Sequence, residues 1–241
     1  MTYEEFLDTL KKAYRDNPRL VALVKQIIRA SEDGTATFEM AQNYALALGK
    51  VMGDTIDITG VLSGEGYTVE YIADILRPAL TGSYELSSEA AMMVQDSINK
   101  KHGINLKSVK PQLDNSRIDN MITEVYNKGY EEHKEAIQQQ ISNFNQSAVD
   151  STIRSNGDFL EHTGVTVKYT RIAESGACKW CRDLEGTYST FEAPDGFYGH
   201  HVNCKCIIKV DDMFATGTVN YWTKVYDKAV QEGRIKAIED R

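Results

Sequence analysis

Apolar residues recur at every third or fourth position through most of the first 160 residues and at every second position thereafter. That change of period predicts helices followed by a small sheet. Thr2-x-x-Glu5 reads as a capping box opening a first helix. Asn17-Pro18 supplies an N-cap and a first-turn proline for a second, whose apolar face is Leu20, Leu23, Val24, Ile27 and Ile28. A third helix is expected from about Thr37, burying Phe38, Ala41, Tyr44, Ala45 and Leu48, with Gly53 and the Gly60–Gly66 segment read as loop or turn. Thr68 caps a helix bearing Val69, Ile72 and Ile75 that should stop at Arg77-Pro78. Ser87 or Ser88 opens another, with Ala90, Met93, Val94 and Ile98 inside.

From Asp114 the helical period is longest. Ile118, Ile122 and Val125 lead into Tyr126, Tyr130, His133, Ile137, Ile141, Phe144 and Ala148, with no proline between Pro111 and Pro194. One helix of thirty residues or more, roughly 45 Å long, is expected to bridge the helical region and the cysteine-bearing part of the chain. Asn156-Gly157 and Thr163-Gly164 mark its end. Val165, Val167 and Tyr169 then alternate with Thr166, Lys168 and Thr170, which predicts a strand carrying Arg171 and Ile172 forward. Thr187–Phe191 and Cys206–Val210 are expected as further strands. A last helix should start at Val219, with Trp222, Val225, Tyr226, Ala229 and Val230 on one face. The expected class is α+β: a helical region over 1–110, a long connecting helix over 111–163 and a small α+β module over 164–241.

Composition narrows the functions open to such a chain. It has 241 residues, 41% of them hydrophobic and 26% charged, which is enough apolar material for a sizeable core. No basic and apolar leader opens it, and no apolar run approaches a membrane span, so residence in a cytoplasm is expected. The net charge of −8 lies wholly in residues 1–164, which argues against a general nucleic-acid coat. Lys100, Lys101, Lys107, Lys110 and Arg117 nevertheless fall together with only Asp114 among them. The segment reads as a solvated connector or, through its four lysines, as a weak DNA contact.

All four cysteines sit between Cys178 and Cys206. Cys178-Lys179-Trp180-Cys181 is a C-x-x-C knuckle, and His201-Val202-Asn203-Cys204 repeats the two-residue gap before Cys206. Two such knuckles can grip one ion with thiolate sulphurs about 2.3 Å away, and thiolate with imidazole suits zinc held structurally by four protein ligands. Six side chains compete for those four places. Cys178 and Cys181 come first, His201 and Cys204 come next on spacing, Cys206 can replace either, and His200 stands last. One of Cys204 and Cys206 can instead be a small buried hydrophobe, and the whole set can instead be free thiols or disulfides.

C-x-x-C, then Leu184-x-Gly186, then His201-x-Asn203-Cys204-x-Cys206 resembles the C-terminal domain of the phage Mu F-like minor head proteins, the head morphogenesis family. The resemblance covers about forty residues. That family usually has Pro-Pro before the histidine, proline after it and arginine between the last cysteines, where this chain has Gly199-His200, Val202 and Lys205. The resemblance implies a non-enzymatic minor capsid protein that associates with portal and capsid or scaffold proteins, is enclosed in the virion interior and supports head assembly or DNA delivery. Two other classes compete. One is a generic zinc-stapled interaction module of a cellular protein. The other is a zinc deaminase, because His133-Lys134-Glu135 with Cys178-x-x-Cys181 matches that pattern superficially. The deaminase reading leaves His201, Cys204 and Cys206 without a role.

Overall fold

The computed structural model describes residues 1–64, 66–201, 204 and 206–215, with side chains through 211. Seven helices and three strands succeed one another among them: α1 (Tyr3–Asp16), α2 (Pro18–Glu32), α3 (Phe38–Thr59), α4 (Val69–Lys101), α5 (Asn115–Lys128), α6 (Lys134–His162), β1 (Val165–Ile172), α7 (Lys179–Asp183), β2 (Gly186–Ser189) and β3 (Ile207–Ala215). The expected mainly helical protein with a small terminal sheet is thus present among these residues. The helix expected from Val219 lies outside them. No helix among the described residues is long and apolar enough to cross a membrane.

The predicted caps work as the sequence suggests. Thr2 and Glu5 close a reciprocal capping box on α1. Asn17 accepts from the backbone of Arg19 and Leu20 at the start of α2, and Thr68 accepts from Tyr71 at the start of α4. Ile28, Val69 and Met93, expected inside, are each 38–40% exposed at the margins of their apolar faces.

Three expected stop signals are overridden. Gly53 is no turn, because α3 runs through it. Gly49 and Gly53 face α6 so closely that a Cβ would meet Ser142 Cα at 2.6 Å and Gln138 Cγ at 2.9 Å. Those glycines bring two backbones together instead of breaking one. Pro78 lies inside α4, which continues to Lys101. Leu76, Ala79 and Leu80 are buried beside it, so core packing outweighs the roughly 3 kcal/mol that an interior proline costs. Gly157 sits inside α6 for the same reason as Gly53, since Tyr169 and Thr190 occupy the space a side chain would need.

The long helix expected over 111–163 is two helices, the first starting only at Asn115. Gly129 takes φ 75° and closes α5, a short 3-10 turn spans Glu131–His133, and α6 begins at Lys134. The break explains the rotated stripe. Tyr130 turns inward at 2% exposed while Tyr126 turns outward at 50%, and His133 falls in the turn between helices. Nor is α6 a bare bridge: it packs against α3 and α4 on one side and β1 on the other. One apolar cluster accordingly runs from Ile27 and Leu48 through Val149 and Ile153 to Val167, Tyr169 and Ile208. A second joins Phe6, Ile56, Ile75, Ile122 and Phe144 at the other end of the helices.

The sheet is antiparallel with order β2-β1-β3. β2 is shorter than the predicted strand, because Thr190 and Phe191 belong to the turn after it. β1 is joined to α6 by a Gly164 turn and lies between strands that come later in the chain. Its alternation is as predicted, with Val165, Val167 and Tyr169 buried, and the same phase buries Arg171 completely.

Candidate metal centre

Two loops deliver the sulphur and imidazole groups. After β1 the chain turns into the short α7, for which Cys178 is the N-cap and Cys181 the first-turn residue. The segment between β2 and β3 returns His200, His201, Cys204 and Cys206 to the same place. Cys178 is exposed and Cys181, Cys204 and Cys206 are buried.

The donors meet in two overlapping triads, Cys178–Cys181–His201 and Cys181–Cys204–Cys206, the ligating atoms in each lying within 4.8 Å of one another. Cys178 Sγ is 3.2 Å and Cys181 Sγ 2.9 Å from His201 Nε2, and Cys181 Sγ is 3.6 Å from Cys204 Sγ. Ligands about 2.3 Å from one ion at tetrahedral angles stand roughly 3.8 Å apart, so the separation of the two sulphurs has the scale such a centre requires. All five candidate ligands are therefore brought together, and the cluster could hold a metal ion. His133 is not among them.

Electrostatics differ from one thiol to the next. Backbone N–H groups of Cys181 and Trp180, with His201 nearby, hold the Cys178 thiol below its usual range. Burial pushes Cys181 up to about 12. Burial also opposes ionisation of Cys204, but His200 and the backbone N–H of Cys206 overcome it and bring this thiol to about 6.

His200, ranked last by spacing, and two residues that sequence reasoning does not assign to the site, Asp150 and Arg171, complete it. His200 is a neighbour of the centre, with Nδ1 3.1 Å from Cys204 Sγ and Nε2 3.3 Å from Asp150 Oδ1, the second contact within ion-pair range but off hydrogen-bond alignment. Its side chain is 2% exposed. Burial disfavours its charged form, yet Asp150 and Cys204 push it up to about 10. Asp150 on α6 is held by Gln42 Nε2 at 2.8 Å, and Gln42 by Gln146 at 3.3 Å, so a buried polar chain joins the cysteines to α3 and α6. Arg171 donates to the Phe197 carbonyl and points Nη2 at Cys204 Sγ, 3.9 Å away, under the ring of Trp180. It makes no ion pair with a carboxylate among the described residues, and its Nε has no hydrogen-bond partner among them. One signal could have found Arg171: it is the only arginine on the buried phase of β1.

The basic segment is partly neutralised. Lys107 pairs with Asp96 and Lys110 with Glu85, while Asn156 binds both backbone groups of Val109 and pins the segment to α6. Lys100 and Lys101 end α4 and are exposed.

Comparison of the chain with protein-family models, curated proteins and solved structures finds no match.

Proposed function

We propose that this chain is a non-enzymatic structural protein of a phage head, a minor capsid protein of the F-like head morphogenesis type, in which zinc staples the segment between β1 and β3. The observation that carries the reading is the convergence of the motif residues: Cys178, Cys181, His201, Cys204 and Cys206 come from two separate loops and form two triads that share Cys181. Thiolate and imidazole donors favour zinc, and a centre filled by four side chains leaves no position for substrate. A cavity of about 400 Å³ beside the site is lined by Asp150, His200, Arg154 and Tyr198 among others, and by none of the five donors.

Such a protein reaches the virion interior by docking on portal, capsid or scaffold proteins. DNA contact is weak and falls to Lys100 and Lys101, because Asp96 and Glu85 already hold the other two lysines. Co-expression with the portal encoded in the same gene cluster tests this. The expected result is a complex that survives high salt, together with one equivalent of zinc. A metal-bound protein that co-purifies with no head component would assign the chain to the generic zinc-stapled interaction modules instead.

A further inference from the structure

Five donors lie in two triads that share Cys181, one more than a centre takes, and their surroundings are not alike. Cys204 Sγ is faced by three N–H groups: His200 Nδ1, Arg171 Nη2 and the backbone of Cys206. Cys206 Sγ is faced by the sulphurs of Cys181 and Cys204, and no side-chain nitrogen hydrogen-bonds to it among the described residues. Metal-bound thiolates keep partial negative charge and are stabilised by N–H donors outside the coordination sphere, whereas a neutral thiol needs none.

Resting on the zinc reading above, we propose that Cys204 completes the centre with Cys178, Cys181 and His201, that His200 and Arg171 are positioning residues holding its thiolate, and that Cys206 is a spectator thiol.

Charge balance supports the assignment separately. Arg171 is fully buried and a guanidinium stays charged in proteins, so an anion must lie beside it. Among the described residues, the group within its reach that can carry a negative charge is Cys204. Three thiolates and one neutral imidazole around a divalent ion carry a net charge of −1, which one arginine cancels while His200 and Asp150 balance each other as a pair. A disulfide or a set of neutral thiols would leave that arginine uncompensated. His200 adds orientation, since Asp150 fixes the far side of its ring and the Gln42–Gln146 chain fixes Asp150 to the helices. The centre is thereby keyed to the helical core at one thiolate.

Titration of the purified full chain with Co²⁺, read by its d–d and sulphur-to-cobalt charge-transfer bands, tests the assignment. Cys206→Ser should keep one equivalent and the wild-type spectrum, whereas Cys204→Ser should lose the four-coordinate bands. His200→Ala should weaken binding by about 10–100-fold and shift the charge-transfer band. His200→Asn, which returns an N–H near the position of Nδ1, should recover part of both, and Arg171→Lys should keep more affinity than Arg171→Met. Helical circular dichroism confirms that each variant is folded. Loss of the bands in Cys206→Ser with retention in Cys204→Ser would reverse the ligand assignment, and wild-type affinity with an unshifted band in His200→Ala would remove its positioning role. A wild-type chain that takes up neither Co²⁺ nor Zn²⁺ would overturn the underlying metal reading instead.

Discussion

Around Phe144 the helices exclude water with Phe6, Ile56, Ile75 and Ile122, whereas around Cys181 the apolar company is Cys204, Cys206, Ala173 and Ala177. Full burial of a large apolar side chain contributes about 1.5–3 kcal/mol, and the helical layer repeats that gain at dozens of positions. The cysteine-bearing segment repeats it at few positions, Phe197 and Leu184 among them. It consists of turns, a helix of five residues, the short β2 and long connections, and it adjoins the buried charge of Arg171 on β1. Metal coordination is the kind of stabilisation a segment of that composition can use, because the free energy of binding becomes free energy of folding.

The contrast predicts where each change is felt. Cys181→Ser removes the donor common to both triads. Metal content should fall from one equivalent to none, and amides over 173–201 should lose exchange protection while those of α3, α4 and α6 keep theirs. If the whole chain melts together, the two regions are one cooperative unit and the comparison fails. Phe144→Ala should act the other way, costing about 3–5 kcal/mol in global denaturation with Co²⁺ stoichiometry unchanged. Gly49→Ala forces α3 from α6 and should cost about 1–3 kcal/mol by the same measurement. Asn17→Ala removes only a cap and should cost about 1 kcal/mol. Within the chelated protein, alkylation and mass spectrometry should find Cys178 modified before Cys181. The first thiol is exposed and held below its usual range, and the second is buried and pushed up to about 12.

Sequence is legible where local forces decide. The caps at Thr2, Asn17 and Thr68, the alternation of β1 and the ligand spacing can all be read, because each depends on a few adjacent residues. Gly53 and Gly157 mislead because residues outside their own helices or beyond their ends, Gln138 and Tyr169 among them, pack against their backbones, and Pro78 misleads because the buried residues beside it hold α4 together. Gly129 is hidden within an apparently continuous helix because the stripe resumes beyond it with a shift of phase, and the shift itself is the sign of the break. Spacing ranks His200 last as a ligand, and the structure places it against Cys204 as a neighbour. Its task depends on Asp150, far earlier in the chain, a pairing that spacing cannot express.

The strand order has a consequence in time. β1 is the middle strand, yet it is made first, and its partner β3 ends at Ala215. At 5–20 residues per second, a ribosome needs about 2–9 s to travel from the end of β1 to the end of β3. Throughout that interval the helices can already be packed while one edge of β1 stays open, with unpaired N–H and C=O groups that invite pairing with another chain. β2 emerges early and closes the other edge.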